Sequence, residues 1–260
     1  MTRGNTRVKD AAKLSRRSVR AERRLFLADG PRAVEGALSV EGCVVEVFAT
    51  PEATGQYAAL VAAAPRWTEV EPAALTSLSD SVTPAGIVAV CRFLDVPVAH
   101  ALAGAPSLVV ICADVRDPGN AGTVIRTADA VGADAVVLAG TSVDAFSPKT
   151  VRASVGSLFH LLIAVEPDIR TAVAAARAEG LTVLAADGAG EILLDEADNL
   201  LAAPTAWLFG NEAWGLDVEV ATAADHRVRI PIHGRAESLN LATAAALCLY
   251  ATARAQRARK

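Results

Sequence analysis

Three polar segments in the second half of this 260-residue chain hold the residue types that could do chemistry. Each combines glycine with amide or charged side chains, and they cover residues 114–122, 210–215 and 233–240. None matches GxGxxG, a GxxxxGKS/T phosphate loop or GxSxG, which argues against a dinucleotide dehydrogenase, an NTPase and an α/β-hydrolase. The four histidines are scattered and no CxxC pair occurs, so we expect no metal site. If these segments form a binding site, we expect a ligand other than a dinucleotide, a nucleoside triphosphate or a metal ion.

Each polar segment follows an apolar run with strand character, at residues 108–113, 206–209 and 228–232. Further strands are predicted at residues 135–139, 158–165 and 181–186, and helices at 170–179 and 241–254. Apolar strands that alternate with helices indicate a parallel sheet covered on both faces. Ligands of such sheets bind beyond the carboxyl ends of the strands, so we expect the three segments to meet at one edge.

The first hundred residues predict a smaller α/β unit. Strands are expected at residues 43–48, 67–70 and 86–93, with a helix at 57–64. Prolines and glycine then break the pattern between residues 96 and 106. We therefore assign residues 1–24 to a basic N-terminal arm, 25–97 to a first domain, 98–106 to a linker and 107–260 to a second domain.

Basic side chains are concentrated at both ends of a chain whose net charge is −4. Residues 1–24 contain nine basic and two acidic side chains, and Arg254, Arg257, Arg259 and Lys260 lie at the other end. A basic segment on an acidic protein can bind the phosphates of nucleic acid, although a charge run is more commonly a solvated surface. Charge alone leaves both interpretations open.

Apolar runs stay short of the roughly 18 residues of a membrane span, and no apolar stretch follows the first charges as in a signal peptide. The four cysteines lie far apart in the sequence, mostly inside apolar runs. These features predict a soluble cytoplasmic protein with reduced thiols and no membrane partner.

The three polar segments resemble the motifs of the SpoU (TrmH-like) family of RNA 2′-O-ribose methyltransferases, in the SPOUT superfamily. The similar residues are Asn120 to Arg126 with Ala128 and Gly132, Phe209 to Leu216, and Ile230 to Ile232 with Ser238 to Asn240. Residues 147–156 resemble a further family segment, so the similarity spans residues 108–255. Residues 27–38 and 83–90 look like the L30-like substrate-binding domain of many members, which include 23S rRNA methyltransferases and some enzymes of thiopeptide resistance.

The resemblance implies an α/β protein with a C-terminal SPOUT domain, whose parallel sheet carries a trefoil knot, preceded by a small L30-like α/β domain. It implies S-adenosylmethionine (AdoMet) as cofactor, no metal, and RNA as substrate, with 23S rRNA favoured over tRNA. It also implies a homodimer whose active sites contain residues of both chains.

The resemblance also implies roles for individual residues. Gly210, Ile230 and Leu239 become cofactor contacts, with Leu184 as a weaker candidate, and core packing is the alternative for Ile230 and Leu239. Arg126 becomes the central catalytic residue. Because a guanidinium stays protonated, we expect it to bind the target phosphate and stabilise alkoxide charge rather than act as a general base.

The remaining site residues have structural alternatives. Asn120 can contact substrate or cap its helix, and Ser238 and Asn240 can bind the cofactor or cap the last helix. Glu212 can orient Arg126 or accept a backbone hydrogen bond in its own loop. The last candidate, which can bind RNA phosphate or form a surface salt bridge, is Arg152.

Three other functions stay open at the level of sequence. The chain could methylate tRNA, it could be a catalytically silent RNA-binding protein of the same fold, or it could methylate a base or a small molecule.

Overall fold

The computed structural model describes residues 1–259, and Lys260 lies outside the described residues. The chain forms two compact units. The first contains Met1–Leu94 and Asp144–His160, and the second contains Asp95–Val143 and the chain after His160. The segment 144–160, which the sequence placed in the second domain, therefore belongs to the first unit by its contacts.

The first unit contains a four-stranded mixed sheet and short helices. Up to residue 94 its elements are α1 Thr6–Ala12, α2 Arg17–Arg23, β1 Leu25–Asp29, α3 Pro31–Ser39, β2 Val44–Ala49, α4 Pro51–Gln56, α5 Ala58–Ala63, β3 Trp67–Glu69, α6 Pro72–Thr76 and β4 Ile87–Arg92. The strand order is β1-β4-β2-β3, with β4 antiparallel to β1 and β2, and β3 parallel to β2. The predicted strands β2, β3 and β4 and the helix α5 are confirmed, whereas β1 was not predicted.

The basic segment 1–24 is folded onto the first unit. It forms α1, a 3₁₀ turn at Lys13–Ser15 and α2. Val8 and Leu14 are buried in the core of the unit, and the basic side chains of this segment lie mostly on the opposite, exposed face. The expected arm is therefore part of the fold of this unit, and deleting it would remove core side chains as well as charge.

Arg20 is a buried exception among these basic residues. Its Nε and Nη2 donate to Asp144 Oδ2 at 2.9 and 2.6 Å, and its Nη1 donates to the carbonyl oxygens of Leu14 and Ser15. The arginine and aspartate side chains are only 4% and 13% exposed. This ion pair connects the N-terminal helices to the segment 144–160.

Arg20→Ala is expected to lower the free energy of unfolding by about 3–5 kcal/mol, because it leaves the Asp144 carboxylate and two carbonyl groups without their buried donor. Urea unfolding followed by circular dichroism measures this change. Arg17→Ala, at an exposed position of the same helix, serves as the control and should change stability by less than about 0.5 kcal/mol. Equal effects of the two substitutions would contradict the structural role of the ion pair.

Aromatic rings attach the segment 144–160 to the first unit as well. Phe146 stacks on Phe93 with ring centroids 4.2 Å apart and lies 4.9 Å from Phe26. Phe159 stacks on Phe26 from another side at 6.1 Å. Buried aromatic rings contribute large apolar areas to a core, which explains why this segment leaves the second unit.

The second unit is built on a parallel sheet. The elements after residue 94 are α7 Val98–Ala101, β5 Leu108–Ala113, α8 Pro118–Val131, β6 Ala135–Ala139, α9 Pro148–Ser154, β7 Leu162–Glu166, α10 Ile169–Ala178, β8 Thr182–Ala186, β9 Ile192–Leu193, α11 Asp198–Leu201, β10 Thr205–Phe209, α12 Val218–Thr222, β11 His226–Arg229 and α13 Leu241–Ala258. Of these, α9 belongs to the first unit. The strands pair in parallel in the order β7-β6-β5-β10-β8-β11-β9, which confirms the predicted parallel sheet.

Burial of the central strands explains their apolar sequences. Every residue of β5, β6 and β10 is buried, and Trp207 in β10 donates its Nε1–H to Thr252 Oγ1 in α13 at 2.8 Å. The helix α13 therefore covers β10 and satisfies its one large polar side chain. Within residues 1–259, no helix is both long and apolar enough to cross a bilayer.

Three predicted boundaries in this part of the chain differ from the structure. The linker at 98–106 begins with α7, and Val98, Ala101 and the following Leu102 are buried in the core of the second unit. The strand predicted at 158–165 starts only at Leu162, because a 3₁₀ turn precedes it. The strand predicted at 228–232 ends before Pro231, which has no amide hydrogen for strand pairing.

Candidate active site

The three polar loops lie at the carboxyl edge of the parallel sheet, as expected. They follow β5, β10 and β11, and β8 lies between the last two strands in the sheet. Because all these strands are parallel, the loop after β8 opens at the same edge. Four loops can therefore contribute to one site.

Glu212 connects the loop after β10 to the start of α8. Its Oε2 accepts from the Arg116 backbone N–H at 3.0 Å, and its Oε1 accepts from the Asp117 N–H at 3.0 Å and from Asn120 Nδ2 at 3.1 Å. Desolvation raises the pKa of Glu212, but these hydrogen bonds and one from its own backbone outweigh that effect and hold the pKa below its usual value. The ionised carboxylate thus fixes the first turn of α8, and no hydrogen bond joins it to Arg126 within residues 1–259.

Asn120 joins the site as a bridge and not as a helix cap. The N-cap of α8 is Asp117, whose Oδ1 accepts from the Asn120 N–H at 2.8 Å. The Asn120 side-chain oxygen accepts from Asn240 Nδ2 at 3.0 Å. Asn240 also caps α13, since its Oδ1 accepts from the Ala242 N–H at 2.9 Å. One chain of hydrogen bonds, from Glu212 through Asn120 to Asn240, therefore joins all three predicted loops.

A cavity of about 280 Å³ opens among these loops. Of the predicted cofactor contacts, Gly210, Ile230 and Leu239 line the cavity, as do Glu212 and Ser238. Leu239 is 37% exposed and Ile230 is half-buried, so neither residue is enclosed in the core. Ser238 caps no helix, because Asn240 takes that position at α13.

Leu184 does not reach this cavity. It is fully buried within β8, where it pairs with Trp207 of β10 and His226 of β11. A residue in the middle of a central strand packs into the core layers, whereas the ligand edge is formed by residues after the strand. Leu184 is therefore a core residue in this fold.

Gly210 is required by its own loop. A Cβ at this position would lie 2.4 Å from the carbonyl carbon of Gly215 and 2.5 Å from the Leu216 nitrogen. Asn211 and Gly215 exchange backbone hydrogen bonds of 2.8 and 2.9 Å, which fold the loop back on itself. The resemblance implied a cofactor contact for this glycine, and the structure adds a second reason for it, the close approach of its own loop backbone.

The loop after β8 is a part of the site that was not predicted from the sequence. Asp187 and Gly188, which follow the predicted strand at 181–186, line the cavity together with Glu237. The rule that ligands bind beyond strand ends would have identified them. Within residues 1–259, the His, Cys, Asp and Glu side chains form no group of three or more suited to a metal ion.

Asp114, the first residue of the loop after β5, has a structural role that was not predicted from the sequence. Its φ of 56° is left-handed, which is uncommon for a residue other than glycine. Its Oδ1 accepts from the Thr141 N–H and Oγ1, each at 2.6 Å, and its carbonyl accepts from Asn211 Nδ2 at 2.7 Å. Asp114 thus ties the loops after β5, β6 and β10 together beneath the site.

Arg126 lies on the exposed face of α8. It forms no hydrogen bond or ion pair through its side chain with another residue of the described chain. It lines a groove of about 820 Å³ together with Thr123 of α8 and Leu247 and Tyr250 of α13. Ile230 lines both this groove and the smaller cavity, so the two openings are neighbours. The guanidinium is thus available to an anionic ligand beside the cavity.

Arg152 belongs to the first unit, on α9. Its Nη1 forms an ion pair with Asp80 Oδ1, and both side chains are about 40% exposed. This contact is the surface salt bridge that the sequence argument gave as the alternative to RNA binding.

Comparison with known proteins relates both parts of the chain to rRNA methyltransferases. The SpoU rRNA Methylase family matches residues 107–250, and the MRM3-like substrate binding domain matches residues 5–89. The 23S rRNA (guanosine(2553)-2′-O)-methyltransferase RlmP of Bacillus subtilis is 34% identical over 249 residues, which cover 95% of each chain.

Two solved structures are similar over nearly their whole length. The AdoMet-bound rRNA methyltransferase from Sinorhizobium meliloti has a TM-score of 0.84 and 34% identity, covering 96% of this chain and 95% of that one. The SpoU methyltransferase AviRb from Streptomyces viridochromogenes, in complex with AdoMet, has a TM-score of 0.84 and 30% identity over 98% of each chain. With the motif loops joined at one sheet edge and a family match over more than half its length, the chain belongs to the SpoU rRNA Methylase family.

Proposed function

We propose that this protein transfers the methyl group of AdoMet to a ribose 2′-hydroxyl of 23S rRNA. The observation that carries the proposal is the hydrogen-bonded chain from Glu212 to Asn120 and Asn240, which fixes α8 with Arg126 beside the cavity. Support for the target comes from RlmP, which is named for methylating a guanosine ribose of 23S rRNA.

The cavity lining fits AdoMet. Ile230 and Leu239 offer apolar cover and backbone hydrogen-bonding groups to a purine, and Gly210 lines the same cavity without a side chain. Ser238 and Glu237 provide polar groups for a ribose or an amino acid moiety. When bound, AdoMet would supply an activated methyl group on a sulfonium sulfur, and two similar solved structures hold this molecule.

Arg126 is the residue that we assign to the reacting ribose. A ribose hydroxyl is weakly acidic, so its attack requires alignment and stabilisation of negative charge as its proton leaves. The Arg126 guanidinium stays protonated, and it can bind the phosphate next to the target while stabilising charge on the 2′-oxygen. The proton then passes to water or to a phosphate oxygen. Glu212, Asn120 and Asn240 act as positioning residues that hold α8.

The RNA target is tested by mapping 2′-O-methylation across ribosomal and transfer RNA in cells with and without the gene. We expect the loss of one methylated ribose in 23S rRNA when the gene is absent. Loss confined to tRNA would contradict the 23S rRNA assignment and leave the chemistry in place.

A homodimer with shared active sites is part of the proposal. Leu247 and Tyr250 are 44% and 68% exposed on α13, in the groove that contains Arg126. Exposed apolar side chains that lie together in a groove are typical of a surface that binds another protein chain. If a second copy covers the groove so that Arg126 of one chain acts at the cavity of the other, chains carrying Arg126→Ala and chains carrying Gly210→Ala should recover activity when co-expressed. Inactive heterodimers of normal mass would contradict the shared site.

We also propose the trefoil knot, the L30-like fold of the first unit and a cytoplasmic location. The match of residues 107–250 to the SpoU rRNA Methylase family supports the knot. The MRM3-like match over residues 5–89 supports a substrate-binding first domain. Four free, buried cysteines support a reducing compartment.

A further inference from the structure

A groove of about 630 Å³ runs along the N-terminal helices of the first unit. Basic side chains and hydroxyl groups line it, from Arg3, Lys9, Lys13, Arg16, Ser15 and Ser77. The described lining contains no acidic side chain. The groove is therefore a local positive surface on a chain whose net charge is −4.

The wall of the groove is held in place by the core. On the opposite face of this helical segment, Val8 and Leu14 are 0% and 2% exposed. Asn5 Oδ1 caps α1 by accepting from the Arg7 N–H at 2.9 Å, and the Glu71 N–H donates to the Met1 carbonyl oxygen at 2.9 Å. The basic side chains thus extend from a fixed backbone, which reduces the entropy lost when they bind a ligand.

Most of the positive charge in the groove is unpaired. Lys13 Nζ donates to Asp10 Oδ1 at 2.7 Å. The charged groups of Arg3, Lys9 and Arg16 form no hydrogen bond or ion pair with another described residue. Three cations in one groove repel each other, so an anionic ligand that neutralises them would bind favourably.

We propose that this groove binds the phosphodiester backbone of the substrate RNA. Lys9, Lys13 and Arg16 succeed one another along this segment and line the same groove, so their charges can meet neighbouring phosphates of one strand. Contacts of this kind add affinity and fix orientation without reading sequence. The proposal rests on the proposed function for the identity of the RNA, and it assigns a separate phosphate site to the first unit.

The test compares two double variants of the full-length protein. Lys9→Gln with Arg16→Gln removes two charges from the groove, and Arg17→Gln with Arg66→Gln removes two exposed charges outside it. Fluorescence anisotropy with a labelled 23S rRNA fragment gives Kd between 50 and 300 mM KCl. We expect the slope of log Kd against log salt to fall by about two in the groove variant, because each lost phosphate contact removes about one counterion.

The control variant should keep the wild-type slope to within about 0.5. Equal slopes for the two variants, in proteins with the same unfolding temperature as wild type, would overturn the proposal that this groove binds RNA. Methylation of the same RNA by the wild-type protein is measured separately, so that failure of the proposed groove can be distinguished from failure of the proposed function. A wild-type protein that binds RNA through the groove but methylates none would support the groove and overturn the function.

Discussion

Replacing Arg126 by lysine is expected to lower kcat for RNA methylation about 100-fold and to leave the Kd for AdoMet unchanged. Lysine keeps the positive charge but loses the planar, forked donors that can bind a phosphate and the 2′-oxygen together. Removal of one preorganised donor to a developing oxyanion typically costs a factor of about 100 to 1,000. Single-turnover methylation and calorimetric titration of AdoMet measure the two quantities separately.

The control is the same substitution at another arginine of the same groove. Arg254 lines the groove and donates to Asp198 Oδ1 at 2.6 Å, so Arg254→Lys changes the same chemical group away from the proposed reaction. We expect nearly normal kcat for this variant. A fully active Arg126→Lys enzyme, or an equal loss for Arg254→Lys, would contradict the geometric role of Arg126.

Gly210→Ala is expected to weaken AdoMet binding about 10- to 100-fold. The new methyl group would meet backbone atoms of Gly215 and Leu216 at 2.4–2.5 Å, and backbone cannot move aside as a flexible side chain can. Overpacking of this kind costs about 1–3 kcal/mol, and 1.4 kcal/mol is a factor of ten in Kd. Because Gly210, Glu212 and Gly215 all line the cavity, opening their loop distorts the proposed cofactor site.

Gly234→Ala provides the matched control for this substitution. Gly234 lies in the loop after β11, its φ is not left-handed, and an added Cβ would meet nothing within 4 Å. Calorimetric titration should give wild-type AdoMet affinity for this variant. If Gly210→Ala also binds AdoMet normally while remaining folded, the loop after β10 does not shape the cofactor site.

The positions of the site loops were predictable because they depend on local apolar patterns. Buried strands such as β5 and β10 are nearly continuous apolar runs, and parallel strands bring their carboxyl ends to one edge. The resemblance to the SpoU family, rather than these patterns, pointed to Gly210, Ile230 and Leu239, which line the cavity. The resemblance also offered Leu184 as a weaker candidate, and this residue lies buried within β8, where the sequence carries no signal that distinguishes the core from a ligand edge.

The contacts of the polar residues were less predictable because they join loops far apart in the sequence. The carboxylate of Glu212 accepts hydrogen bonds from Arg116 and Asp117, about 95 residues earlier. The N-cap of α8 could be predicted from the sequence, because aspartate followed by proline is a common start signal of a helix. This signal favours Asp117 over Asn120 as the cap. The buried ion pair of Arg20 with Asp144 could not be predicted, because Arg20 lies among basic residues that are mostly exposed to solvent.

The most direct test of the proposed function is the fate of the methyl group. The protein is incubated with methyl-labelled AdoMet and 23S rRNA, and the RNA is digested to nucleosides and separated by chromatography. We expect the label in one 2′-O-methylnucleoside, and no label in RNA treated with the Arg126→Ala variant. Label on a base, or AdoMet binding with no labelled nucleoside, would contradict ribose 2′-O-methylation by this site.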